Sequence, residues 1–463
     1  MQGVTTWSFH PYKPLLFDTG DIYICRVYPG RAKIAFDWLP LASVTEYTVF
    51  WQVRNSGDNW ESETVSGTSF VREGLADETD YAFYVTVGAK KSRVRLARTG
   101  FVPGDVVVNY LHPDDPAYSF SGQYLCSPSL VRHPDGYLLA SMDVFKSGAP
   151  QDLTLIFRSD DNGATWQYVS ELFPCFWGKM FIHKGDLYMI ANSTEYGDML
   201  IGRSTDGGKT FGMPTVLLRG SNGFREKGVH RNPENVMRYA GRLWNTLEWG
   251  SWASGTHATM VASIDENADL LDAANWRFTP PVPYDPQWEG TAKGHSAGNI
   301  EGTLVVTPQG ALWNVLRYQI GGCDPSYGLA LVMQPDPHDP DAPERFVKTI
   351  RFPGNHSKFE ITYDEKSGYY VSLVSYLCES HPDGRNWLAL IASRDLEHWE
   401  KIEDIFDYRD TPVKEIGFQY IAYLIEGDDI LLLSRTAFNK AANFHDANYS
   451  VFHRVRNFRR NLP

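Results

Sequence analysis

The stretch Ser159-Asp160-Asp161-Asn162-Gly163-Ala164-Thr165-Trp166 reads S-x-D-x-G-x-T-W, and its pattern returns at Ser204-Thr205-Asp206-Gly207-Gly208-Lys209-Thr210-Phe211. An apolar run ending in Arg-Ser leads into each copy, Leu155-Ile156-Phe157-Arg158 in one and Leu200-Ile201-Gly202-Arg203 in the other. The expected geometry is a strand, a tight turn and an aromatic residue that opens the next strand. The Asp can accept hydrogen bonds from amides of its own turn, and the Thr hydroxyl competes for local backbone groups. Glycine supplies a backbone angle that other residues avoid, and the ring fills space between neighbouring sheets. A strand-built unit that repeats in this way predicts a β-propeller.

Outward from these turns, six segments pair a glycine with an apolar run, as the core hairpin of a blade does. They are Gly136-Tyr137-Leu138-Leu139, Gly185-Asp186-Leu187-Tyr188, Gly241-Arg242-Leu243-Trp244, Gly310-Ala311-Leu312-Trp313, Gly368-Tyr369-Tyr370-Val371 and Gly427-Asp428-Asp429-Ile430. Degenerate turns run from Ser263-Ile264-Asp265 to Trp276 and from Ser393-Arg394-Asp395 to Trp399. Blades need roughly 40–50 residues each, so 104–463 holds six long blades or seven compact ones. Val106-Val107-Val108 is expected to complete the last blade beside Tyr449-Ser450-Val451-Phe452, leaving the ring without a free edge. Helices should be scarce, with Ala268 to Ala274 the best short candidate.

The chain before the repeats has another texture. Residues 1–19 read as an irregular lead-in, and 20–103 alternate at strand period in Ile22–Val27, Ala32–Trp38, Tyr47–Val53 and Tyr81–Val87. Short strands with polar turns, an early Trp and a late Leu and Tyr suggest a small β-sandwich. With Trp38, Leu75 and Tyr81 at its core positions, this stretch resembles a fibronectin type III module, which implies a spacer or docking role.

Length and composition bound the function. The 463 residues suit two or three domains, and 43% hydrophobic content permits a real core. Aromatic residues make up 14%, which suits pleated surfaces and sugar-stacking platforms. A formal charge of −13 argues against general binding to nucleic acid or an anionic membrane. Five scattered cysteines without C-x-x-C point to neither a disulfide framework nor a zinc site. The first residues carry no basic segment followed by an apolar core, so the expected location is cytoplasmic, or secreted or periplasmic if a leader has been removed. No cofactor and no metal is expected, and the oligomeric state is unknown from the sequence.

A propeller gathers its loops at one mouth of the axis, so polar clusters distant in sequence can converge. Six places qualify. Gly228-Val229-His230-Arg231-Asn232-Pro233-Glu234-Asn235, with Glu248, concentrates functional groups ahead of an inner strand. Lys293 to Gly302 carries three further glycines with His295 and Glu301 as possible acid–base groups. Arg317 ends the apolar run Leu312 to Leu316, where a cation must meet an anion. The rest are Asn355-His356-Ser357-Lys358, then Gly417 to Tyr420 with Ser434-Arg435, and Phe444-His445-Asp446-Ala447-Asn448. His445 and Asp446 are a possible oriented acid–base pair.

The paired turns resemble the Asp box of the sialidase-like, or BNR-repeat, propellers, in which the box is structural and lies away from the chemistry. Within that superfamily, several stretches are similar to a branch acting on rhamnose-capped glucuronic acid. They are Ser127-Pro128-Ser129-Leu130, His183 to Tyr188, Glu301 to Val306, Gly417 to Tyr420, Ser434 to Ala437 and His445 to Tyr449. The branch comprises α-L-rhamnosidases and L-rhamnose-α-1,4-D-glucuronate lyases. The resemblance implies seven blades, and in part of the branch a catalytic His ahead of the first blade, on the opposite face of the propeller. His112 is the candidate in that region.

The expectation is therefore an exo-acting enzyme on an anionic or rhamnose-capped glycan, with a β-eliminating lyase ahead of a hydrolase. A uronate lyase needs a cation or amide on the carboxylate, which Arg317, Arg435, Lys358 or Gln419 can supply, and a base such as His230, His295 or His445. A hydrolase needs two carboxylates across the bond, with Glu234, Glu248, Glu301 and Asp446 available. Arg231 and Asn448 complete the candidate binding groups. No arginine triad with a Tyr–Glu nucleophile pair stands out, which places a true sialidase behind both. A non-catalytic glycan-binding propeller is the alternative from another class.

Overall fold

In a computed structural model of the chain, residues 7, 21–221, 226–294 and 298–463 are described. His295 lies outside them. The described strands of the repeat region form six antiparallel sheets in chain order. Their inner strands are Tyr124–Arg132, Phe176–His183, the split pair Gly228–His230 and Met237–Tyr239, Gly298–Val306, Thr362–Asp364, and Gly417–Glu426. Each inner strand turns back at one of the six glycines read from the sequence. Gly136, Gly185, Gly241, Gly310, Gly368 and Gly427 all have φ between 60° and 93°, where a side chain on Cβ is disfavoured. The seven blades implied by the rhamnose-directed branch find no seventh sheet among the described residues; the alternative count of six matches.

The ring closes as the sequence predicts. Val106–Tyr110 is the outer strand of the sixth sheet and pairs antiparallel with Tyr449–Val455, Val107 opposite Val451 and Val106 opposite Phe452. Arg132 of the first sheet makes a two-point ion pair with Glu426 of the sixth. A Cβ on Gly163 would meet the Phe452 ring at 2.2 Å, so the first box seats directly on the last sheet.

Both boxes have the same internal bonding. Gly163 N donates to Ser159 Oγ at 2.7 Å, while Thr165 N and Oγ1 donate to the two oxygens of Asp161 at 2.8 and 2.6 Å. Gly208, Ser204, Thr210 and Asp206 repeat this at 2.9, 2.9 and 2.6 Å. Ser159 pairs with Leu138, which in turn pairs with Arg132 at the far end of the first inner strand. The boxes therefore lie at the end of the axis opposite the starts of the inner strands. The expected Ala268–Ala274 helix is instead a series of turns followed by the single 3-10 turn Ala273–Asn275.

Residues 21–98 form two packed sheets. One contains Ile24–Val27, Lys33–Trp38 and Ser69–Glu73; the other centres on Glu46–Val53 and Asp80–Val87. Phe36, Trp38, Trp51, Tyr81 and Phe83 fill the space between them. This sandwich is clamped to the ring by a buried Arg95–Asp115 pair at 2.7 Å and by Tyr23 Oη donating to Glu171 at 2.8 Å.

Candidate active site

Four inner strands share one irregularity near their starts. Ser127, Trp177, Glu301 and Tyr420 have φ of 50°, 52°, 52° and 54°, and each sits where the register with the second strand slips. A bulge re-aims a side chain that the pleat would otherwise turn into the sheet. Holding a non-glycine residue in the left-handed region costs about 1–3 kcal/mol, and such strain concentrates at functional sites. The neighbour of Glu301 must be Gly302, since a Cβ there would meet Asn314 Oδ1 at 2.0 Å.

Two of these bulge residues meet. Tyr420 Oη donates to Glu301 Oε1. Arg317 Nη1 lies 2.6 Å from Glu301 Oε2 and 3.4 Å from Tyr420 Oη, and its Nε donates to Asn355 O at 3.2 Å. Two more guanidinium groups flank the ring, with Arg435 Cζ 5.0 Å and Arg385 Cζ 6.0 Å from its centre. Arg385 donates to Gln419 Oε1, and Arg435 donates to His445 O at 2.5 Å. Neither has a carboxylate within 4 Å among the described residues, although they are only 8% and 5% exposed, and Arg435 Nε is buried without a partner. Buried cations without counter-ions are costly, and this arrangement suits an anion.

The electrostatics agree. Burial pushes the Tyr420 phenol up to about 12, and Glu301 adds to this while the three arginines oppose it. For Glu301, burial raises the carboxyl, but Arg317, His230 and the Tyr420 bond outweigh it and hold the group below the usual range. Burial and then the Arg317 charge pull Arg385 down to about 9, as expected for a cation short of a counter-charge. A hollow of about 310 Å³ lined by Arg317, Asn355, His356, Arg385 and Phe444 adjoins these groups. A larger one of about 970 Å³ lies between the sandwich and the ring, where Arg26 and Asp37 already satisfy each other.

Among the residues singled out from the sequence, Glu301, Arg317, Gln419 and Arg435 converge here. Gln419 Nε2 also donates to Phe444 O at 2.6 Å. His445 stacks edge-on against Phe145 at the same mouth, its Nδ1 2.9 Å from Asp446 Oδ1. Burial and Arg435 take that imidazole down to about 4. His230 Nδ1 and Glu248 Oε2 form a second pair at 2.6 Å, walled by the rings of Trp177, Tyr196, Trp252 and His257.

Other candidates are occupied by the scaffold. Lys358 lies 2.5 Å from Glu360 and 3.5 Å from Glu234, and Lys179 lies 3.2 Å from Glu360. These four fully buried groups come from three sheets and plug the axis below the mouth; burial, opposed by Lys358, pushes Glu234 up to about 8. Arg231 is bonded to Trp177 O, Ile190 O and Asn245, tying the second sheet to the third. Asn448 is bonded through both side-chain ends to the Phe438 backbone. His112 is not on the opposite face. Tyr110 pairs with Tyr449, Tyr449 with Thr436 and Thr436 with Phe418, so His112 is at the same end but just past the outermost strand, Val106–Tyr110. There it faces Asp80 of the sandwich at 3.6 Å.

Arg385 and the role of Tyr420 escaped the sequence reading. The usable signals were a charge two positions before the apolar strand Trp387–Ser393 and a tyrosine in the first half of the inner strand Gly417–Glu426. No group of three or more His, Cys, Asp or Glu side chains among the described residues is arranged to hold a metal ion.

The fold is an all-β propeller. Among solved structures it is similar to an α-L-arabinanase of Penicillium chrysogenum complexed with arabinobiose, at TM-score 0.50 and 15% identity, over 78% of this chain and 99% of that one. It is likewise similar to the Hadza microbial sialidase Hz136, at TM-score 0.50 and 12% identity, over 94% of this chain and 93% of the other. No family model matches the sequence, and no curated protein does.

Proposed function

We propose that this protein is an exo-acting glycoside hydrolase for a sugar acid, with Tyr420 as nucleophile and Glu301 as its base. The observation that carries this reading is the Tyr420–Glu301 hydrogen bond inside a ring of Arg317, Arg385 and Arg435. Three guanidinium groups suit a substrate carboxylate, which they hold and orient. A neutral phenol suits attack beside that carboxylate, where an ionised nucleophile would be repelled. Glu301 receives the phenol proton as the bond to the anomeric carbon forms, and Arg317 steadies the Glu301 carboxylate until then. The arabinobiose complex and the sialidase among the structural neighbours support a carbohydrate substrate.

The experiment is incubation with an aryl α-glycoside of N-acetylneuraminic acid. Release of the phenol is expected, and Tyr420→Phe is expected to lose at least about 10³-fold in turnover. Absence of release by the wild type, or full activity in the variant, would overturn the reading.

A second reading keeps the lyase, favoured by the His230–Glu248 pair as an oriented base. It predicts absorbance of a 4,5-unsaturated product from uronic-acid oligosaccharides. Retained binding without turnover of any acidic glycan would instead favour a lectin-like protein. We also assign 1–19 as a lead-in, 20–103 as a fibronectin type III-like sandwich and 104–463 as the propeller; the strand order supports the division between the last two.

A further inference from the structure

Cleaving a glycosidic bond requires a proton for the departing oxygen. The groups around Tyr420 do not provide it. Arg317, Arg385 and Arg435 serve as cations, and Glu301 is an ionised acceptor bonded by Arg317 and Tyr420. His445 is taken down to about 4 by burial and Arg435, so it is neutral at ordinary pH. His230 is bonded to Glu248 and enclosed by four rings at 2% exposure.

We propose that Glu195 is the general acid and base of this site, held for that role by Gln151. The assignment rests on the reading of Tyr420 and Glu301 as the nucleophile pair. Glu195 lies in the connection between Asp186–Asn192 and Met199–Ser204, at the mouth end of the second sheet. Its neighbour Tyr196 bridges Val229, which precedes His230, and the carboxyl is close enough to His230 to feel its charge, while Cys126 feels both Glu195 and Arg435 of the pocket. Gln151, from the corresponding connection of the first sheet, donates from Nε2 to Glu195 Oε2 at 2.6 Å. Gln151 is itself 4% exposed and held at a φ of 55°. Loops of two blades thus converge on one oxygen, and no side chain of the described residues bonds the other. Burial raises the Glu195 carboxyl above its ordinary range, with Gln151 and the His230 charge offsetting part of the shift. Cys126 and Tyr196 are the other titratable groups facing it.

The steps balance. Tyr420 Oη bonds to the anomeric carbon and gives its proton to Glu301. The bond to the departing oxygen breaks, that oxygen keeps the electron pair and takes the proton of Glu195. Water then enters, giving one proton to Glu195 as its oxygen bonds to the anomeric carbon. The Tyr420 bond breaks, and the phenolate recovers its proton from Glu301.

The test compares two α-glycosides of N-acetylneuraminic acid, one on an aryl phenol and one on lactose, in wild type, Glu195→Gln and Glu195→Ala. A phenol departs without protonation, whereas lactose does not. In kcat/KM, which reports only the step before water enters, both variants are expected to lose about 10²–10⁴-fold on the lactoside but under about tenfold on the aryl glycoside. The alkaline limb of the wild-type pH profile should vanish in Glu195→Gln, with affinity for free N-acetylneuraminic acid unchanged. Equal losses on both substrates, or none on either, would overturn the assignment while leaving the nucleophile pair standing. Wild type inert on both, or Tyr420→Phe active on the aryl glycoside, would overturn that pair and Glu195 with it.

Discussion

Arg385 shows at the scale of one residue how binding strength is stored as instability. It is buried, bonded to the neutral Gln419, and faces two other guanidinium groups. Its charge therefore disfavours the empty fold. Arg385→Gln keeps a donor for Gln419 and removes the charge. It is expected to stabilise the unliganded protein by about 1–2 kcal/mol, read as a higher midpoint in urea, while weakening sugar-acid binding at least tenfold. A lower midpoint would mean that the charge has a partner in solution. The sequence disclosed Glu301, Arg317 and Arg435 because each stands out beside an apolar run. It did not disclose Arg385, whose neighbours His381-Pro382-Asp383-Gly384 read as an ordinary turn, nor the pairing of Tyr420 with Glu301. That pairing depends on bulges in two strands 119 positions apart, and a bulge leaves no mark on hydrophobic alternation.

At the scale of elements, the two ends of each blade are built for different work. The box end is saturated with local hydrogen bonds, whereas the mouth end carries strained bulges and unpaired charge. Asp161→Ala removes the acceptor for Thr165 N and Oγ1 at the end away from the chemistry. It is expected to cost about 1–3 kcal/mol of stability with kcat unchanged, measured by denaturant unfolding beside steady-state kinetics. A matching fall in kcat would argue that the ends are coupled. The boxes and glycine turns were legible because their chemistry is local. The strands Glu61–Ser66 and Ser69–Glu73 were not, since the first is almost wholly exposed and both lack an alternating apolar face.

At the scale of the molecule, the sixth sheet joins the end of the chain to a strand that precedes the first blade. Substituting Val107→Pro interrupts the seam in its middle. A loss of about 2–4 kcal/mol is expected, well beyond that of a proline at an exposed loop, read as a lower unfolding midpoint. An unchanged midpoint would show that the sandwich clamps alone hold the ring. The seam was legible because three consecutive valines precede the repeats. The number of blades followed from counting turns; the resemblance to a seven-bladed branch pointed elsewhere.

The same seam sets a timetable. During translation Val106–Tyr110 leaves the ribosome more than 300 residues before its partner Tyr449–Val455 is made. For that whole interval the strand has nothing to pair with, and the first box has no Phe452 to cover it. The nascent protein thus spends most of its synthesis as an open fan with two sticky margins, exposed to self-association and dependent on whatever shields such surfaces in the cell.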